Sequence, residues 1–276
     1  MAASAAQPHW SPNQYRPIQE YTYKFTPNGE LRIHVFFPFN WTPQDRRPGI
    51  VFFFGGGWNS GLPVQFFRHA MYLASRGMIA ASADYRVKSR HEVTPLECVA
   101  DAKSAVRWLR SRAADLGLDP TRLAAGGGSA GAHLAACTAM IDGFDAAGED
   151  VSISAAADAL VLFNPPVSIR QEHADRFGLS AETAASISPM NALSGQMPPA
   201  ILFFGTEDRL YPPAEQFVSK AKQLGVNIEL VTAEGPGHGF FNFSPWFERT
   251  LHRADEFLAS LGYLSGPPTF DPPEPA

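Results

Sequence analysis

The sequence has little cysteine, no long apolar run and no cluster of charge. Cysteine occurs only twice in 276 residues, at Cys98 and Cys137. Both fall in stretches expected to be helical, among apolar neighbours, and read as small buried hydrophobes. One disulfide is open on count alone but nothing favours it, and no spacing of Cys and His suits a metal ion. No stretch of 18 apolar residues exists, so no membrane span is expected. The formal net charge is −5, from 22 basic and 27 acidic residues. Both signs are scattered, so nothing electrostatic points to nucleic acid or to an acidic tail.

The N-terminus, Met1 to Gln7, lacks the basic start and apolar centre of a signal peptide. Ala3, Ser4, Ala5 and Ala6 resemble the end of one. Two readings stay open: a secreted or periplasmic protein whose export signal has been removed, or a plain N-terminal extension on a cytoplasmic one.

What is present suits one globular domain, with 45% hydrophobic and 18% charged residues. Residues 20–25 and 31–37 are rich in β-branched and aromatic side chains around Pro27-Asn28-Gly29, and read as an antiparallel hairpin. Short apolar runs at 50–54, 78–83, 123–125, 159–163, 201–204 and 228–231 read as strands buried on both faces. Helices are expected at 63–76, 95–116, 130–140, 214–224 and 246–261, with Thr94 and Pro95 suited to open the second. Eight strands that mostly alternate with helices imply a largely parallel sheet covered on both faces, over residues 20–264. Residues 1–19 read as an extension and 265–276 as a Pro-rich, mobile tail. The connection 164–199 carries a helical piece near 171–177 and could form a small lid or be surface decoration.

Between the fifth strand and its helix stands Gly126-Gly127-Gly128-Ser129-Ala130-Gly131. Gly127, Ser129 and Gly131 meet the Gly-x-Ser-x-Gly pattern of a nucleophile on a sharp turn. The helix that follows aims its N-terminus at the same point, which favours developing negative charge. A phosphate loop is the rival reading, but no Gly-Lys-[Ser/Thr] follows and the turn comes after the fifth strand rather than the first. The third strand runs into Gly55-Gly56-Gly57-Trp58, whose N–H groups, those of Gly56 and Gly57 with that of Ala130, could hold an oxyanion. Asn164, after the sixth strand, cannot stabilise an imidazolium as a carboxylate does. After the seventh stands Gly205-Thr206-Glu207-Asp208, where Asp208 is the expected acid and Glu207 the alternative. After the eighth, Gly237-His238-Gly239 offers the histidine that the chain order Ser, Asp, His requires. His133 lies four residues beyond Ser129 and reads as a packing group.

Together, 55–58, Asp84-Tyr85-Arg86, 127–131, 205–208 and Gly237-His238-Gly239-Phe240-Phe241 resemble the bacterial carboxylesterases of the α/β-hydrolase superfamily. The resemblance covers roughly residues 50–261. It is strongest to the branch related to acetyl xylan and feruloyl esterases, with the hormone-sensitive-lipase-like esterases more distant. It implies an α/β-hydrolase fold without a large cap domain, and a Ser129–His238–Asp208 triad working through an acyl-enzyme. The expected substrate is a short-chain acyl or aromatic ester, or an acylated saccharide, with no cofactor or metal. Trp58, Tyr211, Phe240 and Phe241 are the expected pocket residues. Two departures stand out. Phe54 occupies the place where these relatives usually carry His, and residues 1–19 are too short for the helical cap of lipase-like relatives. An amidase or arylformamidase would use the same triad, and a binding protein on the same fold would normally lose one of its members.

Overall fold

A computed structural model describes residues 19–273; residues 1–18 of the expected extension and the last three residues of the tail lie outside it. Eight strands form one sheet in the order β1-β2-β4-β3-β5-β6-β7-β8. They are β1 (Gln19–Thr26), β2 (Gly29–Phe36), β3 (Arg47–Phe53), β4 (Ile79–Ala83), β5 (Leu118–Gly128), β6 (Ala159–Phe163), β7 (Ala200–Gly205) and β8 (Ile228–Ala233). The hairpin β1–β2 is antiparallel, as the Asn28-Gly29 turn predicts, and β2 also pairs antiparallel with β4. From β4 to β8 every pairing is parallel. This is the α/β-hydrolase fold.

Helices cover both faces: α1 (Phe67–Ser75), α2 (Lys88–His91), α3 (Pro95–Ser111), α4 (Ala113–Leu116), α5 (Ala130–Met140), α6 (Gln171–Phe177), α7 (Ala181–Ser186), α8 (Pro189–Ala192), α9 (Tyr211–Gln223) and α10 (Trp246–Ser260). Side-chain alternation along the strands divides the core. Val51 and Phe53 of β3 join the layer under α3, α5 and α9, while Ile50 and Phe52 join the layer under α1 and α10. Thr94 and Glu97 cap α3 reciprocally, which satisfies N–H groups that the helix leaves free.

Three local expectations differ from the structure. The helix expected over 95–116 breaks at Arg112, and the piece after it ends at Gly117 in the left-handed conformation. The connection 164–199 contains three short helices, α6 to α8, rather than one. The tail is not loose over its described length: Phe270 is buried against Tyr72 and His252, and the Thr269 N–H donates to the Tyr72 hydroxyl at 3.4 Å. An aromatic near the chain end has apolar surface to bury, and the Pro-rich composition did not reveal that partner. Both cysteines are free and buried. No helix among the described residues is long and apolar enough to cross a membrane.

Asp101 anchors β1 and the β4 exit to α3. It is fully buried and accepts from Lys24 at 2.7 Å and from the Arg86 guanidinium at 2.8 and 2.9 Å. The Arg of Asp84-Tyr85-Arg86 is thus a strut, and the full pairing of this buried charge is what makes it tolerable.

His69 is buried in a box of Phe52, Phe66, Phe163, Phe241 and Phe247. Neither of its ring nitrogens has a hydrogen-bond partner among the described residues. Burial lowers its pKa from 6.5 to about 3, and lowers that of buried His133 to about 4. Above pH 6.5 neither the folded nor the unfolded state protonates these rings. Below it the unfolded state binds protons first, so stability falls as pH drops towards 4, at about 1.4 kcal/mol per pH unit for each histidine. His69→Phe is therefore expected to raise the urea midpoint at pH 7, by about 1 kcal/mol in stability, and by more at pH 5. A lower midpoint at both pH values would show that His69 stabilises the fold.

Candidate active site

The β5–α5 turn is the tightest place in the chain. At Ser129 the backbone adopts φ 51° and ψ −119°, a conformation that non-glycine residues rarely take. The neighbours hold it there: the Ser129 N–H donates to the Phe163 carbonyl at 2.8 Å, and its carbonyl accepts from the His133 N–H at 3.0 Å. Glycine on either side is a steric requirement. A Cβ on Gly127 would lie 2.4 Å from the Phe53 carbonyl oxygen, and one on Gly131 would lie 2.0 Å from the same atom. The turn therefore rests directly on the end of β3, with no side chain between them.

Three loops meet at the hydroxyl of Ser129. His238, from the loop after β8, places Nε2 2.8 Å from Ser129 Oγ. Its Nδ1 lies 2.7 Å from Asp208 Oδ2. A neutral imidazole satisfies both contacts when Nδ1–H donates to the carboxylate and Nε2 accepts from the serine. Asp208 is buried, 4% exposed, and its other oxygen accepts from the Leu210 N–H at 2.9 Å. Glu207, the alternative acid, is exposed, and the carboxylate hydrogen-bonded to His238 is that of Asp208. The loops of Asp208 and His238 press together at Gly205, where a Cβ would lie 2.0 Å from the Pro236 carbonyl oxygen.

Beside Ser129 the chain leaves β3 through Gly55, Gly56 and Gly57. Gly56 and Gly57 have φ of 130° and 62°, and Trp58 follows at 57°. The N–H groups of Gly56, Gly57 and Ala130 meet no backbone acceptor among the described residues. Gly56 and Gly57 lie in the wall of the cavity over Ser129, whereas Ala130 is fully buried at the start of α5. Phe54 does not leave this loop unsupported. Its ring stacks on Tyr85 at 4.1 Å, and the Tyr85 hydroxyl donates to the Phe54 carbonyl at 2.8 Å. Trp58 is held in its left-handed conformation by edge-on contacts with His133, His173 and Phe177. His133 is a packing group, with Nε2 2.7 Å from the Ile187 carbonyl.

The cavity over Ser129 has a volume of about 630 Å³. Of the four expected pocket residues, Trp58 and Phe241 line it. Tyr211 and Phe240 do not: the Tyr211 ring leans on Phe204, and Phe240 packs against Trp246 in a separate groove beside β8. A loop position near a strand end does not specify which way the side chain turns, and at both positions it turns away from the cavity. The wall is also more polar than a Phe-rich sequence suggests, because most of the phenylalanines belong to the core. Arg170, Glu172, His173 and Arg176, on and before α6, line it together with Glu207 and Arg209. Desolvation lowers the His173 pKa, so its ring stays neutral at pH 7. Gln65, Asn164 and Asn242 also line the cavity. Sequence reasoning passed over Gln65 and Asn242, since isolated amides carry no motif. Among the described residues no cluster of His, Cys, Asp and Glu could hold a metal ion.

Comparison with known proteins places this geometry in context. Residues 35–222 match the family model described as BD-FAE. Carboxylesterase NlhH of Mycobacterium tuberculosis is 26% identical over 267 residues, covering 88% of this chain and 82% of that protein. A probable isoprenylcysteine alpha-carbonyl methylesterase of Arabidopsis thaliana is 25% identical over 75% of this chain and 48% of its own, so the chain spans about half the length of that relative. Among solved structures, Thermogutta terrifontis esterase 2 phosphonylated by sarin has a TM-score of 0.87 and 43% identity, covering 90% of this chain and 96% of the other. The same esterase has been solved phosphorylated by paraoxon, and with propionate or butyrate bound.

The two kinds of glycine in this site predict different costs. Gly131→Ala forces the turn off β3 and is expected to cost about 3 kcal/mol. Gly57→Ala meets only the end of the Arg176 side chain, at 3.9 Å. It should cost about 1 kcal/mol, the strain of a left-handed alanine. Urea titration of both variants checks the order; equal losses would mean that the Gly131 contact relaxes freely.

Proposed function

The chain belongs to the BD-FAE family, and from that premise we propose that it is a serine carboxylic ester hydrolase with Ser129 as nucleophile, His238 as base and Asp208 as the acid that orients it. The observation that carries this reading is the hydrogen-bond chain from Ser129 Oγ through His238 to Asp208, at 2.8 and 2.7 Å. His238 Nε2 takes the hydroxyl proton as Oγ attacks the acyl carbon. The carbonyl oxygen becomes an oxyanion, which the N–H groups of Gly56 or Gly57 and of Ala130 receive. The protonated imidazole, stabilised by Asp208, gives its proton to the departing alkoxide and leaves an acyl-enzyme. Water then attacks the acyl carbon with His238 again as base, the carboxylic acid leaves and Ser129 is restored.

The substrate class proposed is a short acyl group on a polar alcohol, such as an acetylated saccharide, with aromatic feruloyl esters next. Three features support it. The wall sets a few apolar groups, Trp58, Pro166, Leu210 and Phe241, among arginines, carboxylates, histidines and amides. Esterase 2 of Thermogutta terrifontis, similar over most of this chain, has been solved with propionate and with butyrate. Residues 164–199 supply Arg170 and His173 to one wall, and we assign this segment the role of a small fixed lid over the acyl site.

A p-nitrophenyl ester series from acetate to octanoate should peak at the short end, with activity on acetylated xylan, less on methyl ferulate and least on N-formylkynurenine. Ser129→Ala should lower kcat by more than about 10⁴-fold. Paraoxon should inactivate the wild type with one diethylphosphoryl group on Ser129, seen by mass spectrometry. Unchanged ester turnover in Ser129→Ala would sink the nucleophile assignment, and an optimum at octanoate would overturn the short-acyl reading.

A further inference from the structure

Two amides outside the triad join the loop of the base to the loop of the oxyanion donors. Gln65 lies in the single helical turn Pro63–Phe66, between β3 and α1, and Asn242 lies in the turn Phe240–Asn242 after β8. Their positions differ by 177 residues, yet Gln65 Nε2 donates to Asn242 Oδ1 at 3.0 Å. Each amide spends its other end on a catalytic loop. Gln65 Oε1 accepts from the Gly55 N–H at 2.6 Å, directly before Gly56 and Gly57. Asn242 Nδ2 donates to the Gly239 carbonyl at 2.8 Å, directly after His238. Gly239 is also gripped from the other side, where its N–H donates to Oδ1 of buried Asn164 at 3.3 Å.

The polarity of this chain is fixed. Gly55 can only donate through its N–H and the Gly239 carbonyl can only accept, so each amide must accept at one end and donate at the other. Turning either amide over sets like against like at both of its ends. The chain therefore transmits position: Gly239 cannot shift without drawing Asn242, Gln65 and Gly55 with it. Gly55 needs such a tie, because the two glycines after it leave the backbone free to turn. His238 needs one too, since it stands on a loop between two glycines with its side chain 44% exposed.

We propose that Gln65 and Asn242 are positioning residues which, with Asn164, hold the imidazole of His238 and the oxyanion donors at one mutual distance. The inference rests on the esterase reading above. Neither amide touches the reacting atoms, so both act on the transition state through the loops they tie. Misplacement of about 1 Å at such a site can cost about 100-fold in rate. The expected signature is a loss in kcat with little change in KM, because the tie acts on the transition state through the two loops rather than on the bound ester.

The test is a double-mutant cycle on p-nitrophenyl acetate. Gln65→Ala and Asn242→Ala are each expected to lower kcat about 10- to 100-fold, with KM within about 3-fold and Tm within a few degrees. Because the two act as one link, the double variant should be no slower than the slower single one. Gln65→Glu keeps the acceptor for Gly55 but loses the donor to Asn242; it should be as impaired as Asn242→Ala, and it guards against a fold lost through a missing side chain. Losses that multiply in the double variant would overturn the link, as would a full kcat in Gln65→Glu or a loss confined to KM. Ser129→Ala in the same assay separates the two readings. If it turns over the ester as the wild type does, the Ser129 nucleophile assignment fails; if it is inactive while the cycle is multiplicative, only the link fails.

Discussion

Everything at the candidate site depends on the backbone of the β5–α5 turn touching the backbone at the end of β3. Glycine at 127 and 131 allows that touch, and it forces Ser129 into a conformation that its own side chain resists. The strain is held by the sheet on either side. Phe163 on β6 accepts the serine N–H, and the Phe53 carbonyl on β3 sits where a side chain would otherwise be. Once the turn is seated, the hydroxyl stands above the strand ends, and every other group has to be brought to it by a loop.

Those loops are stiffened by unlike means. The loop after β3 is tied down by aromatic stacking of Phe54 on Tyr85 and by a tyrosine hydroxyl on its carbonyl. An apolar ring, Phe54, opens this loop, so the support comes from stacking and from the neighbour's hydroxyl. Arg86, next to Tyr85, locks the same segment to α3 through Asp101. Among the described residues no aromatic ring stacks on His238 itself. Gly239 is instead fastened through both its N–H and its carbonyl, to Asn164 and Asn242. These hydrogen bonds fix the backbone of the loop without packing on the imidazole.

The walls follow a different logic from the floor. Beneath the serine the protein is a bed of stacked rings, with Phe241 against Phe163 and Phe66, and His69 among them. Above it, the segment 164–199 presents arginine, glutamate and histidine to the cavity. Apolar material holds the turn from below, and charged material faces the entering molecule. On the proposed reading, such a division seats a small acyl group next to Ser129 and leaves its alcohol portion among polar groups.

The sequence by itself determined the strand count, the hairpin, the alternation with helices and the positions of Ser129, Asp208 and His238 along the chain. Those are properties of local pattern: continuous apolar runs, Asn-Gly turns, and glycines bracketing one residue at a strand end. Tertiary structure alone decided which of Glu207 and Asp208 turns inward, since neighbouring loop residues look alike in sequence and differ only in the direction of their side chains. It also decided that Tyr211 and Phe240 turn away from the cavity, that the Pro-rich tail docks through Phe270, and that the connection 164–199 folds into three short helices. Gln65 and Asn242 show the limit most clearly. Two ordinary amides far apart in the chain meet only because β3 and β8 end on the same side of one sheet, and no periodicity or motif records a contact that the sheet order creates.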